Sequence, residues 1–293
     1  MRHLDELFAL CKGHRTCAVA QAADRPVLEA CVMAKARNLA SFILCGDKAA
    51  IEAGLKDLGE EAGAWDIRHQ DSPQACAAEA VRLAREGEAS LLMKGLLSTS
   101  ILMRAVLDRE KGIRGPGLLS HVMAYEVPSC PRILFNTDGG LNTFPNAEQK
   151  AMILENAIGL LHRLGYIGIN AALIAGSETV DPKIQATLDA QKICAQQERW
   201  ESLGCNVYGP VGLDLAISKD ACAHKGYEAK GAGEADILLV PTYEVGNAMG
   251  KALTYFANAQ SAGIIVGAAC PIVLVSRSDS AMTKLHSIAM ALA

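Results

Sequence analysis

A chain of 293 residues carrying 28 basic and 32 acidic side chains, for a net charge of -4, lacks the electrostatic footprint of a nucleic-acid binder or an anionic-membrane binder. With 51% apolar but only 4% aromatic residues, the interior must be built from Ala, Leu, Ile and Val, and the length predicts one large or two medium domains. No apolar run approaches the ~18 residues of a membrane span, and the acidic residues within MRHLDELFALCKGHR argue against a signal peptide, so a soluble cytoplasmic protein is expected.

Short apolar runs of strand length recur in chain order: TCAVAQA (16–22), SFILCG (41–46), SLLMKG (90–95), RILFNT (132–137), AALIAG (171–176), DILLVP (236–241), GIIVG (263–267) and IVLVS (272–276). Stretches of helical period separate most of them, which predicts an α/β fold with mostly parallel sheets and flanking helices. The clearest helix spans about 147–164. Leu154, Ile158 and Leu161 share a face, Asn146 and Gln149 form a start signal, and Gly165 can end it. Ten cysteines include no C-x-x-C pair and lie mostly in apolar runs, so they read as small buried hydrophobes rather than disulfides or zinc ligands.

No low-complexity linker or repeat divides the chain. The breaker-rich Gly115-Pro116-Gly117 and the GAACP of 267–271 are the places where it can cross between domains. The expectation is a discontinuous N-terminal domain of 1–117 plus 270–293 and a second domain of 118–269.

Ligands of open α/β sheets bind beyond the C-terminal ends of strands, and four such junctions here are polar. They hold Lys94 and Gly95 with Ser98 and Thr99; Thr137, Asp138, Gly139 and Asn142; Glu244 and Asn247; and Ser276-Arg277-Ser278-Asp279-Ser280. Asp138-Gly139-Gly140 is open to two readings, a phosphate-holding turn or an ordinary Asx-turn. VGNAMGKAL (245–253) fails the phosphate-loop pattern, since Gly246 is one residue too close and Ala252 stands where Ser or Thr would hold magnesium. No G-x-G-x-x-G follows a strand, no G-x-S-x-G is present, and the seven histidines lack metal-site spacing, so no metal is expected, although His121 remains a candidate base. Arg114, on a loop of breakers, is either an anion-gripping guanidinium or a solvated arginine.

In the last junction, Asp279 or Ser278 can cap a C-terminal helix whose apolar face is Met282, Leu285, Ala289 and Leu292. Capping does not explain Arg277, because a cation at a helix N-terminus opposes the macrodipole unless an anion sits there. Ser276, Arg277 and the helix start therefore read as an anion pocket.

At these residues the chain resembles the phosphate acetyl/butyryl transferase family, most closely its phosphate butyryltransferase branch. The resemblance rests on LLMKGLLSTSILMRAVLD, GIRGPGLLSHV, FNTDGGLNTFPNAEQK, ADILLVPTYEVGN, ALTYFANAQSAGIIVGAACPIVLVSRSDS and KLHSIAMA, in that order. It implies a two-domain α/β fold like that of isocitrate and isopropylmalate dehydrogenases, a homo-oligomer (a dimer or higher), and an active site in the interdomain cleft. It implies reversible conversion of acyl-CoA and inorganic phosphate to acyl phosphate and coenzyme A, with coenzyme A as substrate and no bound cofactor. By position, Ser276 would stabilise the tetrahedral transition state, and Arg277 and Arg114 would bind phosphate or coenzyme A phosphates. The acetyl branch carries its thiol-deprotonating aspartate seven residues after this serine, where Thr283 stands here. Asp279 is then either the base or a cap, and Lys94 is a substitute for an arginine with no clear partner. Acetyl transfer, a non-catalytic binder of acyl-CoA or acyl phosphate, and a metal-dependent dehydrogenase remain alternatives. The last would need clustered aspartates, and Asp181, Asp189 and Asp236 are scattered.

Overall fold

The computed structural model describes residues 1–13 and 15–293. In chain order its strands and helices begin with α1 (Leu7–Leu10), β1 (Arg15–Ala20), α2 (Arg25–Ala36), β2 (Ala40–Gly46), α3 (Lys48–Asp57), β3 (Asp66–His69), α4 (Pro73–Arg85), β4 (Leu91–Lys94) and α5 (Thr99–Val106). Then follow β5 (Ser120–Glu126), β6 (Leu134–Thr137), α6 (Ala147–Arg163), β7 (Ile169–Ile174), α7 (Gln185–Cys194), α8 (Gln197–Ser202) and β8 (Cys205–Val211). The chain ends with α9 (Leu213–Ile217), α10 (Lys219–Lys225), β9 (Ile237–Leu239), α11 (Tyr243–Phe256), β10 (Gln260–Val266), β11 (Ile272–Val273) and α12 (Ala281–Leu292). The architecture is mixed α/β.

Two compact units divide the chain. The first comprises Asp5–Gly117 and Ala262–Ala293; the second comprises Met1–Leu4 and Leu118–Ser261. The sequence placed the later crossing at 269/270, whereas the compact units part at 261/262. The reason is the pairing of β10 with β11, which ties most of β10 to the first unit.

Within the first unit the strands run in the order β3-β2-β1-β4-β11-β10. β1, β2, β3, β4 and β11 are parallel where they pair, and β10 is antiparallel to β11. The connections run from β1 outward to β2 and β3, then return past β1 to β4, so the winding reverses between β1 and β4. Doubly wound sheets open their ligand crevice at such a switch point, on the side of the carboxyl ends. The centre is dry: Cys17, Ala18, Val19 and Ala20 of β1 and Leu92 and Met93 of β4 have no exposed surface.

The second unit orders its strands β5-β6-β9-β7-β8, parallel except for β5 against β6. α6 begins with the expected Asn146–Gln149 capping box and stops before Gly165, whose φ of 85° suits the left-handed turn. Leu154, Ile158 and Leu161 of its inner face are fully buried. Its Gly246 and Gly250, within VGNAMGKAL, lie on α11 rather than on a loop. A Cβ at Gly250 would come within 2.2 Å of the Tyr125 hydroxyl, so packing accounts for that glycine.

Strands β3, β5 and β8 carry no clean apolar run, and the sequence does not announce them. β3 (DIRH) has no buried residue, β5 interleaves Ser, His and Glu, and β8 contains Gly209-Pro210. All ten cysteines are free; six are buried and four are partly buried. Among the described residues no helix is long and apolar enough to cross a membrane.

Candidate active site

The carboxyl ends of β1, β4 and β11 bring together groups from three chain segments. Register sets this up: Ala20 pairs with Lys94, and Val273 of β11 with Met93 of β4, so the residues after each strand emerge side by side. Gly95 makes the approach possible, because a Cβ there would lie 2.1 Å from the Gln21 carbonyl oxygen. Its N–H donates instead to the Ala20 carbonyl at 2.8 Å.

Lys94 is 5% exposed, and its Nζ donates to the carbonyls of Gly95 (3.2 Å) and Leu97 (3.3 Å). Burial, followed by the charges of Arg277 and Lys284, lowers its pKa to about 8; the carboxylates of Asp24 and Asp279 oppose that fall. Lys284, on the first turns of α12, is 2% exposed, donates to the Asp279 carbonyl at 2.5 Å, and is likewise pushed down by burial. Three basic side chains against two carboxylates, at the strand ends where α2, α5 and α12 start, give this place a positive balance that suits an anion.

Ser276 lies on the turn that follows β11. Its N–H donates to the Asp279 carboxylate at 2.8 Å, the Asp279 N–H returns a bond to the Ser276 carbonyl at 3.1 Å, and its Oγ is 3.0 Å from the Ser278 Oγ. The 276–279 turn is thus closed on itself, with Arg277 projecting exposed from its tip. Among the described residues its guanidinium has no hydrogen bond or ion pair within the protein.

Neither Asp279 nor Ser278 caps α12; Ser280 does, accepting from the Thr283 N–H at 3.2 Å. Asp279 is committed to Ser276 instead. The expected apolar face is also too narrow, since Met282 is 36% exposed while every residue from Lys284 to Leu292 is buried. The sequence signal for Lys284 is a lysine within an otherwise apolar helix run.

Ser98 caps α5, accepting from the Ile101 N–H at 3.3 Å, and its Oγ lies 3.0 Å from the Ser100 Oγ; Thr99 opens that helix. Arg114 is not brought to Ser276. It pairs antiparallel with Ala268 in the β10–β11 connection, at the end of β11 opposite Ser276. The five residue steps from 271 to 276 span about 16 Å if extended. Gly115 fits there because a Cβ would stand 1.9 Å from the Gly267 carbonyl oxygen.

The other expected residues belong to the second unit and have a different character. Asp138 is 3% exposed and accepts four hydrogen bonds, from the N–H groups of Gly140 and Leu141 (both 2.8 Å), the His121 N–H (3.0 Å) and the Asn142 amide (2.6 Å). Thr137 donates to the His121 carbonyl, and Asn142 also reaches the Leu119 carbonyl, both at 2.9 Å. The N–H groups that a phosphate would need are therefore engaged by the turn's own carboxylate. The glycines serve packing: a Cβ at Gly139 would meet the Gly246 backbone at 2.6 Å, and one at Gly140 the His121 ring at 2.1 Å. Asn247 touches the Gly139 carbonyl at 3.4 Å, and Glu244 is exposed on the first turn of α11. Of the scattered aspartates, Asp189 is bonded to Lys150 (2.6 Å) and Gln185 (2.8 Å), Asp236 to the Asn170 N–H (2.9 Å), and Asp181 to the Lys183 N–H (2.8 Å).

Comparison with known proteins gives a consistent answer. Residues 73–292 match the family described as phosphate acetyl/butaryl transferase. The chain is 40% identical to a phosphate butyryltransferase of Clostridium beijerinckii over 292 residues, covering 99% of this chain and 97% of that one. It is 38% identical to a phosphate acetyltransferase of Rhizobium meliloti, covering 93% and 86% of the two. The crystal structure of a branched-chain phosphotransacylase from Enterococcus faecalis V583 superposes with a TM-score of 0.82 at 33% identity, covering 94% of this chain and 97% of that one.

Proposed function

The chain belongs to the phosphate acetyl/butyryl transferase family and moves an acyl group reversibly between coenzyme A and inorganic phosphate; we propose that its preferred acyl group is butyryl and that transfer is a direct thiolate attack. The observation that carries the site assignment is the convergence of Lys94, Arg277 and Lys284 around the Ser276 turn at the carboxyl ends of β4 and β11.

Acyl transfer to or from a phosphate passes through a tetrahedral carbon with a developing oxyanion and a dianionic phosphate. Arg277, with its guanidinium unengaged at the tip of the turn, offers a bidentate fork for phosphate oxygens. Lys284, when protonated, adds positive charge from a dry position, where it acts more strongly than in water. The Ser276 hydroxyl, held by the Asp279-closed turn, donates to the oxyanion without reorganising. Asp279 is thereby a positioning residue. Arg114, at the far end of β11, is left outside this cluster.

The preference for butyryl is supported by the 40% identity with the Clostridium beijerinckii enzyme. The same reading takes the protein as a cytoplasmic homo-oligomer needing no bound cofactor. Ten unbridged cysteines suit a reducing compartment, and the exposed Tyr255 (66%) and Phe256 (90%) on α11 suit association.

The test is phosphate-dependent release of free thiol from acetyl-, propionyl-, butyryl-, isobutyryl- and valeryl-CoA. A maximum at butyryl-CoA is expected. A maximum at acetyl-CoA would make this an acetyltransferase, and no release from any of them would make it a binder.

A further inference from the structure

Transfer in the thiol-consuming direction needs a group that removes the thiol proton and then delivers a proton to the departing phosphate; the inference below rests on the transferase reading. The 276–283 segment offers no free carboxylate for this. Position 283, seven residues after Ser276, is a threonine, and Asp279 holds the Ser276 N–H at 2.8 Å.

Lys94 differs in geometry. Its Nζ sits at the end of β4 with two carbonyl acceptors, those of Gly95 and Leu97. An ammonium has three N–H donors, whereas a neutral amine has two donors and one lone pair. Two carbonyls therefore satisfy the neutral amine completely and leave the lone pair open. In the charged form the third N–H is the one donor left to give.

The charged groups facing Lys94 are Arg277 and Lys284 around the start of α12, Asp24 at the start of α2, and Asp279 in the 276–279 turn. The cations and the burial prevail over the carboxylates, which brings the amine to about 8, beside a free thiol near 8.5. A proton passes between two such groups almost without bias, as a reversible reaction requires.

We propose that Lys94 is the proton shuttle of this transferase, taking the proton of coenzyme A and returning it to the leaving phosphate. The neutral amine accepts the S–H proton; the thiolate attacks the acyl carbon, forming C–S; the C–O bond to phosphate breaks with its electron pair on oxygen. The ammonium then protonates that oxygen, giving hydrogen phosphate and a neutral lysine. In the opposite direction the same ammonium protonates the departing thiolate.

The experiment is the pH dependence of kcat for acyl-CoA formation from acyl phosphate and coenzyme A, on the full chain, in wild type, Lys94→Arg and Lys94→Ala, the last with and without added methylamine. Wild-type kcat is expected to rise through a midpoint of about 8. Lys94→Arg keeps the charge but has no lone pair, so kcat falls by ~10²-fold or more, with the phosphate KM of the reverse direction within about threefold. Methylamine should restore part of the Lys94→Ala rate in proportion to its unprotonated form.

Lys94→Arg within about tenfold of wild-type kcat, or a loss confined to phosphate KM, would reduce Lys94 to a cation. Should both variants fail to fold, a wild-type kcat flat from pH 7 to 9.5 would overturn the proposal. A wild type with no transfer at all would overturn the transferase reading itself, an outcome separate from normal transfer that is indifferent to Lys94.

Discussion

At the ends of β4 and β11 the polar groups keep capacity for a ligand; at the end of β6 they are consumed by one another. Lys94 has one hydrogen-bonding position open and Arg277 has no hydrogen-bond or ion-pair partner among the described residues, whereas each oxygen of Asp138 accepts two donors. Both places look alike as strings of polar residues after an apolar strand. What separates them is satisfaction: a polar turn whose donors and acceptors close on each other is a fastening, and one that leaves convergent charge open is a site.

The comparison breaks first at Ser276. Ser276→Ala should lower kcat by ~10²- to 10³-fold with substrate KM values little changed, as for loss of an oxyanion donor. Turnover near wild type in a steady-state assay would leave the open end of β11 without its assigned chemistry.

Next in size is the fastening itself. Asp138→Ala strands four donors, and at about 1 to 3 kcal/mol for each buried unpaired group the loss is several kcal/mol. A fall of about 10 °C in the thermal midpoint is expected by calorimetry. An unchanged midpoint together with a raised phosphate KM would turn the fastening into a site.

Arg114 tests the boundary from the other side. Arg114→Ala should leave kcat and both KM values within about twofold, as for an exposed side chain away from special features. A tenfold rise in the KM for phosphate or coenzyme A would place it among the binding residues.

A last effect is on stability. Lys94 ionises at about 8 in the fold against about 10.4 for an unperturbed lysine, so in that window the unfolded chain binds more protons. Stability from this group is therefore lowest below pH 8 and recovers as pH rises toward about 10.4. In denaturant titrations Lys94→Met should gain relative to wild type at pH 7, and the gain should shrink by pH 10. A difference independent of pH would show that the lysine is not held charged against its surroundings.

Much of the fold was legible because it depends on local periodicity. The apolar runs at 41–46 and 90–95 became β2 and β4, and the Asn146–Gln149 signal began α6 where expected. Strands β3, β5 and β8 were not legible, because their polar or Pro-containing sequences become strands through pairing with a neighbouring strand rather than through an apolar run of their own.

The site divides the same way. Sequence alone marked 276–280 as a polar junction after a strand with groups suited to an anion, since Ser, Arg and Asp there fit no apolar period, and the ordered blocks around it pointed to the family. Tertiary structure alone decided that Lys284 and Asp24 join Lys94, that Ser280 rather than Asp279 caps α12, and that the Arg114 backbone bridges Ala268. The physical reason is one of range. Helix starts and strand lengths follow from neighbours a few residues apart, but the charge a buried lysine feels, and whether a carboxylate is already engaged, are set by groups tens to hundreds of residues away that only strand register brings together.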